Sequence, residues 1–426
     1  MGKFALTLYS LKFNTIIEIG YTEHTSQVIF DFMSIFNVKI NNENRTLNLE
    51  YKHQYTEEIK KKINSFILNY KVHSPQIQQI NKYFKQLKDD EYFFILPPKD
   101  FNTKEKLGLE TELYELNGYK SYSDAEKIKL KQFDCILNNY EIIGFNLEKN
   151  RITPIGTRQK NKRICRFCKK SQPDVSFNNI AHAISEGLGN KKLILNEECD
   201  TCNDFFDENI ERDFIYYHDL ARTAFGIKNK KNNVPKMKGK DFQFFKDMDN
   251  NNLTIAIIQN IEKHSQGEPP KNILFKTGNK IQVQNIYKTL SKFALSIIDN
   301  KYIKNFDETI SWLKNKKEIN KLPKIAVLND YHFFTKVPEL TLYLRNNDNK
   351  QIPYLVGEFK FTFYMYIFIV PFSSEDNQDF LSENEYKDFL NCFKHVKNIN
   401  KFRYLDFSNN ISKELNFNIN FEQRKD

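Results

Sequence analysis

The sequence predicts a multidomain α+β protein, in which a central segment stapled by cysteines separates two mixed α/β flanking regions. The chain has 426 residues, more than one typical domain contains, and its hydrophobic fraction of 40% is sufficient to build cores. Strand-like alternation and helical periodicity occur on both sides of two close cysteine pairs. We therefore expect an N-terminal domain at 1–150, a central module at 151–227 and a C-terminal domain at 241–426.

The N-terminal region, 1–150, mixes strand and helix patterns. Alternating apolar residues and strand-forming composition predict strands at Phe4–Tyr9, Ile16–Tyr21, Thr46–Tyr51, Tyr92–Leu96 and Tyr140–Leu147. Thr56 is a suitable N-cap and Pro75 suits a first helical turn, so helices are predicted at Thr56–Tyr70, after Ser74, and from Ser123 to about Leu137. No motif in this region predicts its role.

The central segment contains two C-x-x-C pairs, Cys165 with Cys168 and Cys199 with Cys202, separated by thirty residues. Two such pairs can close a tetrahedral site for a structural Zn²⁺ ion, which replaces a hydrophobic core in a small segment. The intervening residues leave room for two short strands within Val175–Ile184, turning at Asn178-Asn179, and for a loop at 187–190.

A helix is predicted to start near Cys202. Phe206, Ile210 and Phe214 recur every four residues and form its buried stripe. A neighbouring polar stripe consists of Asn203, Asp207 and Glu211. Oxygen donors of this kind suit Mg²⁺ or Mn²⁺ better than zinc, and carboxylates in the first turns favour the positive end of the helix dipole.

Basic residues lie on both sides of this segment. The linker 148–163 and the loop Lys228–Lys240 are rich in lysine and arginine, and the chain has a net charge of +10. This charge favours an anionic partner such as nucleic acid. The residues expected to contact phosphates are Arg158, Lys160, Lys162, Arg163, Lys230 and Lys231.

The C-terminal region again combines both element types. Strands are predicted at Leu253–Ile258, Lys324–Leu328, Thr341–Leu344 and Phe359–Val370, and helices at Ile286–Ile298 and Ser382–Phe393. The apolar run that ends near Phe372 is too short to span a bilayer, and no targeting segment is convincing. We therefore expect a soluble, cytoplasmic protein without a membrane partner.

The motif C-R-F-C … A-H-A-I-S-E-x-L-G-N … E-C-D-x-C-N resembles the HNH endonucleases with a zinc-stabilised His-Me finger, or ββα-metal, fold. The resemblance covers about 55 residues, from Arg163 to roughly Tyr217. It implies that His182 is the general base and Asn203 a ligand of the catalytic divalent ion, with the four cysteines as structural zinc ligands. One position departs from the family pattern, because Ala181 replaces the Asp, Glu or His that usually precedes the base. Asp207 is the first substitute ligand to consider, followed by Glu186 and Glu198.

The resemblance implies hydrolysis of nucleic-acid phosphodiesters, with DNA favoured over RNA. A prokaryotic anti-phage or mobile-element nuclease is the context that such a chain suggests by analogy, with flanking domains that choose a target or hold a protein or oligomer partner. Three alternatives remain: a zinc-stabilised nucleic-acid-binding module without catalysis, an RNA-cleaving nuclease, and a purely structural zinc domain.

Overall fold

The protein divides into two compact units, residues 1–138 and 139–426. The computed structural model describes residues 2–21, 27–36, 39–41, 46–48, 50–70, 75–98, 101, 103–145, 152–229, 231–239, 242–247, 253–257, 272–330, 334–394 and 401–420. Helices and sheets occur in both units, which confirms the α+β class. The predicted boundaries of the module at 151–227 and the domain at 241–426 remain predictions.

The first unit is built on a four-stranded antiparallel sheet with the order β2-β1-β6-β5. Aromatic residues from helices and strands, among them Phe32, Phe66 and Phe93, fill its core. Its strands are β1 Gly2–Tyr9, β2 Asn14–Tyr21, β3 Lys39–Asn41, β4 Thr46–Asn48, β5 Lys52–Gln54 and β6 Tyr92–Leu96. Its helices are α1 Gln27–Ser34, α2 Glu57–Tyr70, α3 Pro75–Phe84, α4 Thr103–Leu116 and α5 Lys120–Asn139.

Most predicted elements of this unit are confirmed, with two differences. The strand predicted at Thr46–Tyr51 is confirmed as β4 but is shorter, since β4 covers Thr46–Asn48 and Tyr51 lies outside any strand. The helices α1 and α4 were not predicted. The sequence of α1 is rich in β-branched and aromatic residues, which favour strands, so only its packing makes it helical.

The second unit contains a six-stranded antiparallel sheet with the order β18-β14-β17-β16-β15-β7. Its strands are β7 Tyr140–Phe145, β8 Thr153–Ile155, β9 Leu193–Leu195, β10 Met237–Lys238, β11 Phe242–Lys246, β12 Leu253–Ile257, β13 Asn272–Gln282, β14 Ile325–Asn329, β15 Thr335–Arg345, β16 Leu355–Thr362, β17 Tyr364–Ile369, β18 Arg403–Leu405 and β19 Ser412–Asn420. Its helices are α6 Asp200–Phe206, α7 Arg212–Tyr217, α8 Asp219–Ala224, α9 Gln284–Ile297, α10 Asp307–Leu313 and α11 Glu383–Cys392.

Helix α9 lies at the centre of this unit, and all fourteen of its residues are buried. It packs against α7 on one side and against β16 of the large sheet on another. Phe214 of α7, Phe293 of α9 and Phe359 of β16 meet there with ring centroids 5.7–6.0 Å apart. The cysteine-containing segment and the large sheet therefore share one hydrophobic core around this helix.

The strands predicted at Leu253–Ile258, Lys324–Leu328 and Thr341–Leu344 and the helix predicted at Ile286–Ile298 correspond to β12, β14, β15 and α9, although Ile258 lies outside the described residues. The single strand predicted at Phe359–Val370 is wrong, because the chain reverses between β16 and β17, where Thr362 has a φ of +55°. The helix predicted at Ser382–Phe393 is confirmed as α11, with Ser382 Oγ accepting a hydrogen bond from the Glu385 N–H.

Within the part of the chain that the structure describes, no helix combines the length and the apolar character needed to cross a membrane.

Candidate metal centre and catalytic site

The four cysteines of the two C-x-x-C pairs converge on one point. The Sγ atoms of Cys165, Cys168, Cys199 and Cys202 all lie within 4.8 Å of one another, and those of Cys168 and Cys199 are 3.7 Å apart. Zn–S bonds of about 2.3 Å in a tetrahedron place sulfur atoms roughly 3.8 Å apart. The predicted four-cysteine cluster is confirmed, and its dimensions fit a structural Zn²⁺ ion.

Each pair is shaped by its own backbone. In the first, the Cys165 carbonyl accepts from the Lys169 N–H, and Lys169 adopts a φ of +62° that turns the chain back. In the second, Cys199 is the N-cap of α6, so Cys202 lies in the first helical turn. The cluster is thus held between a tight turn and a helix start.

The surroundings of the cluster favour thiolates. The Cys199 N–H points at Cys165 Sγ at 3.5 Å, and Lys314 Nζ lies 3.6 Å from Cys202 Sγ. Hydrogen bonding among the cysteines themselves lowers the pKa of Cys199 and raises the pKa of Cys202. Deprotonated sulfur is the form that binds zinc.

The hairpin predicted within Val175–Ile184 does not form. Asp200 accepts hydrogen bonds from Ser176 Oγ at 2.6 Å and from the N–H groups of Asn178 and Asn179 at 3.0 and 2.9 Å. Burial alone would raise the pKa of Asp200, but these hydrogen bonds outweigh it and lower the pKa. The carboxylate at the start of α6 therefore occupies the backbone groups that a second strand would need.

His182 instead lies in a short antiparallel pairing with β9. It bridges to Ile194, with the Ala183 N–H donating to Leu193 O at 3.0 Å and the Leu195 N–H donating to Ala181 O at 2.8 Å. In turn, β9 pairs in parallel with β8 from the linker. The backbone of the His182 segment is thus fixed by its pairing with β9.

The His182 ring is mostly buried but still reaches solvent. Its side chain is 16% exposed, and its Nδ1 atom lies 3.9 Å from Oε2 of Glu186, whose side chain is 19% exposed. Glu186 opens the 3₁₀ turn Glu186–Leu188, which Ser185 caps by accepting from the Gly187 N–H. A titratable base and a carboxylate therefore face each other at a solvent-accessible position.

Asn190 fixes the loop that returns from this turn to β9. Its side-chain amide donates to Ile184 O at 2.7 Å and to Leu193 O at 3.3 Å. Its Oδ1 atom accepts from the N–H groups of Lys192 and Leu193. Gly189 has a φ of +91°, a conformation that side chains rarely adopt. The L-G-N residues of the motif therefore hold the loop next to the histidine segment in a fixed conformation.

The predicted helix begins at Asp200 and continues through a π-helical turn, Asp207–Glu211, into α7. Phe206, Ile210 and Phe214 are buried, which confirms the apolar stripe. On the polar stripe, Asn203 is half-buried, Asp207 is exposed and Glu211 is buried. Within the described residues, the four cysteines are the one group of three or more Cys, His, Asp or Glu side chains able to share an ion. The ligand roles of Asn203 and Asp207 stay predictions.

Ala181, which departs from the family pattern, is buried. Because its side chain is a methyl group, this position offers no side-chain ligand to an ion beside His182. Of the other substitutes, Glu198 is fully enclosed in the ion cluster described next, whereas Asp207 and Glu186 reach solvent.

A buried ion cluster lies directly behind the histidine. Lys292 of α9, 1% exposed, places its Nζ atom 3.2 Å from Oε2 of Glu198 and 2.8 Å from Oε1 of Glu211. The same atom donates to the His182 carbonyl at 3.4 Å. Burial raises the pKa of Glu198 to about 7. Sequence reasoning missed Lys292, because nothing local distinguishes one lysine of an amphipathic helix from another.

Arg166 joins the first cysteine pair to the end of α9. Its Nη1 atom donates to the carbonyls of Leu295, Ser296 and Ile298 at 2.9–3.1 Å, and its Nη2 atom donates to Glu197 at 3.0 Å. A guanidinium at a helix C-terminus satisfies carbonyls that the helix itself leaves unbonded. The zinc cluster is thereby anchored to the central helix.

The basic residues expected to contact phosphates differ in their environment. Arg158, Lys160, Lys162 and Lys231 are exposed. Arg163 is half-buried, and its guanidinium donates to Thr157 O, Arg158 O and Asn196 Oδ1, so it organises the linker. Lys230 lies outside the described residues. The phosphate-contact role of all six residues remains a prediction.

Comparison with known proteins gives a result for this segment alone. Residues 165–217 match a family model described as HNH endonuclease. A search of the curated proteins and of the solved structures finds no significant match to the chain. The matched residues begin at the first zinc-site cysteine and end at the last residue of α7. Residues 165–217 are therefore similar to the HNH endonuclease family, and their four-cysteine cluster fits a zinc-stapled form of that family.

Proposed function

We propose that this protein is a metal-dependent endonuclease that hydrolyses phosphodiester bonds of DNA, with His182 as the general base. The observation that carries the proposal is the placement of His182 within the matched segment, on a braced strand segment and facing the carboxylate of Glu186. A general base must be held in place, remain accessible and carry a partner that orients its ring.

In this proposal, His182 Nε2 takes the proton from a water molecule, because Nδ1 is the ring atom that faces Glu186. The water oxygen bonds to phosphorus and the bond to the leaving oxygen breaks. The family resemblance implies that this is the 3′-oxygen, which leaves a 5′-phosphate on the other product. Glu186 orients the imidazole and stabilises its protonated form.

Asn203 and Asp207 would hold the catalytic ion. They are four residues apart on continuous helical backbone, so their side chains point to the same side of α6 and the turn that follows it. An amide and a carboxylate oxygen are hard donors that suit Mg²⁺ or Mn²⁺. When bound, the ion supplies Lewis-acid stabilisation of the charge on the phosphate and the leaving oxygen. The cysteine cluster has soft donors and is a separate, structural site.

We propose DNA as the substrate. We also propose that the protein acts in defence against phage or in a mobile element. The exposed cations Arg158, Lys160, Lys162 and Lys231 support an interaction with a phosphate backbone. The remaining regions of the chain would select the target or hold a protein partner or a second copy. We place the protein in the cytoplasm.

A second function is favoured by one observation. Because Ala181 is buried where the family has an ion ligand, the segment would bind nucleic acid without cleaving it if no other residue supplies that ligand. Cleavage of RNA would use the same groups, since base and ion act on the phosphate.

The test incubates the purified protein with plasmid DNA, and in parallel with total RNA, in Mg²⁺ or Mn²⁺. We expect DNA cleavage that both EDTA and His182→Ala abolish. Asp207→Ala should lower the rate at least about a hundredfold. Asp204→Ala is the matched control, because Asp204 is an exposed acid on the same helix that the proposal leaves without a role.

Salt-sensitive DNA binding without cleavage, retained in His182→Ala, would replace the proposal with the binding module. RNA cleavage without DNA cleavage would correct the substrate. Equal effects of Asp204→Ala and Asp207→Ala would remove Asp207 from the ion site. Glu186→Gln then tests Glu186 as the substitute ligand.

A further inference from the structure

A polar cleft beside the start of α7 has a cavity volume of about 440 Å³. Its floor is formed by four buried polar residues, namely Asp213, Gln284, Asn285 and Lys288. Its rim carries exposed polar residues from the start of α7, from β13, from the segment after α10 and from the start of β19. A space of this size accommodates a mononucleotide-sized molecule.

Lys288 is the unusual member of the floor. It is 3% exposed, its Nζ atom donates to Asn315 Oδ1 at 2.5 Å, and the same atom lies 5.4 Å from the centre of the Trp312 ring. No carboxylate among the described residues forms an ion pair with it. Buried charges in proteins are normally paired with an opposite charge.

Lys292, one helical turn further along α9, provides the comparison. Burial alone would lower its pKa, but two carboxylates, Glu198 and Glu211, outweigh burial and raise it. For Lys288, burial acts without such opposition and lowers the pKa to about 8. The two lysines have similar burial, and they differ in whether the protein supplies the counter-charge.

The charge of the residues around the cleft favours an anionic ligand. Four basic residues line it, Arg212, Lys280, Lys288 and Lys317, against two acidic ones, Asp213 and Glu318. Asp213 is already engaged, because its Oδ2 atom accepts from the Gln282 N–H at 2.9 Å and from Asn285 Nδ2 at 2.7 Å. Lys317 pairs with Glu308 outside the cleft.

We propose that this cleft binds a small phosphate-bearing molecule of mononucleotide size, whose phosphate supplies the counter-charge of Lys288 and contacts Arg212 and Lys280 at the rim. The phosphate would connect α7, which lies within the matched residues 165–217, to α9 and to β13. This site is separate from His182, and its occupation does not depend on the nuclease activity proposed above.

The test measures binding of inorganic phosphate and of adenosine 5′-monophosphate to the full-length protein by titration calorimetry and thermal unfolding, with adenosine as the uncharged control. We expect both phosphates to bind and to raise the Tm, and adenosine to do neither. Lys288→Met should weaken binding at least about tenfold. Lys316→Met is the matched control, because Lys316 lies on the same segment as Asn315 but does not line the cleft.

Lys288→Met should weaken phosphate binding but stabilise the ligand-free protein. Replacing a buried cation that lacks an anionic partner by an apolar side chain should raise the Tm of the ligand-free protein while it removes the response to phosphate. Arg212→Ala removes a charge from an exposed side chain, leaves the fold intact and should weaken binding severalfold.

Three results would overturn the proposal: no binding of either phosphate, equal binding by Lys288→Met and Lys316→Met, or binding that Lys288→Met and Arg212→Ala leave unchanged. A short single-stranded oligonucleotide that binds through Lys288 while both small phosphates fail would reassign the cleft to a nucleic-acid strand. Because no readout involves cleavage, a nuclease that proves inactive leaves this test intact.

Discussion

Acid should destabilise the second unit through one buried histidine, His218. Its ring is buried, Nδ1 donates to the Phe214 carbonyl at 3.1 Å, and Nε2 accepts from the Tyr366 hydroxyl at 2.9 Å. In the neutral imidazole, both ring nitrogens therefore have a hydrogen-bond partner. Burial lowers the pKa of His218 to about 3, from an ordinary value near 6.5.

The sign and size of the effect follow from this shift. The folded-state pKa lies below the unfolded-state value, so the contribution to stability is complete above pH 6.5 and is lost as the pH falls towards 3. Each pH unit within that window costs about 1.4 kcal/mol. Between pH 7.5 and pH 5, His218 should reduce the free energy of unfolding by about 2 kcal/mol.

The assay is urea unfolding of the wild type and of His218→Gln at pH 7.5 and pH 5, with zinc present throughout. Trp312 is the single tryptophan of the chain and is fully buried in the second unit, so its fluorescence reports the unfolding of that unit. The wild type should lose about 2 kcal/mol more than the variant between the two pH values. Equal losses would show that His218 takes up its proton in the folded state, and the burial argument would then fail.

Two further outcomes are expected. The protein should contain one zinc ion per chain by elemental analysis, and Cys202→Ser should lower both the zinc content and the Tm; an unchanged Tm would show that the cluster does not stabilise the fold. Arg166→Met should cost about 3–5 kcal/mol of unfolding free energy, because it leaves the Glu197 carboxylate without its opposite charge and the carbonyls at the end of α9 without their donor. Arg166→Met combined with Glu197→Gln should cost less than the sum of the two single changes, whereas additive costs would mean that the pair does not interact.

The parts of the site that could be predicted are those encoded by local spacing. Two C-x-x-C pairs predict a metal cluster wherever the fold places them, and apolar residues four apart at Phe206, Ile210 and Phe214 predict a buried helix face. The family motif identified the histidine segment for the same reason, since its residues are close in sequence.

The parts that could not be predicted depend on contacts between distant residues. The strand partner of His182 is β9, a strand of three residues whose pairing is decided partly by Asp200 binding the backbone near Asn178. The turn between β16 and β17 follows Thr362, which has a positive φ although its sequence contains no glycine or asparagine signal. Lys292 reaches the histidine segment across 110 residues of chain.

The cluster of Lys292, Glu198 and Glu211 also has an evolutionary consequence. Its ammonium lies between two carboxylates in a space closed to solvent, and it reaches the carbonyl of the histidine segment. Loss of Lys292 would leave two carboxylates in the interior without a cation, so a change at this position alone should be selected against. In divergent descendants of this chain the three positions should therefore covary: all three charged, or all three replaced together by apolar residues. Position 292 lies well outside the segment that carries the family motif, but it would then change together with positions 198 and 211 inside that segment.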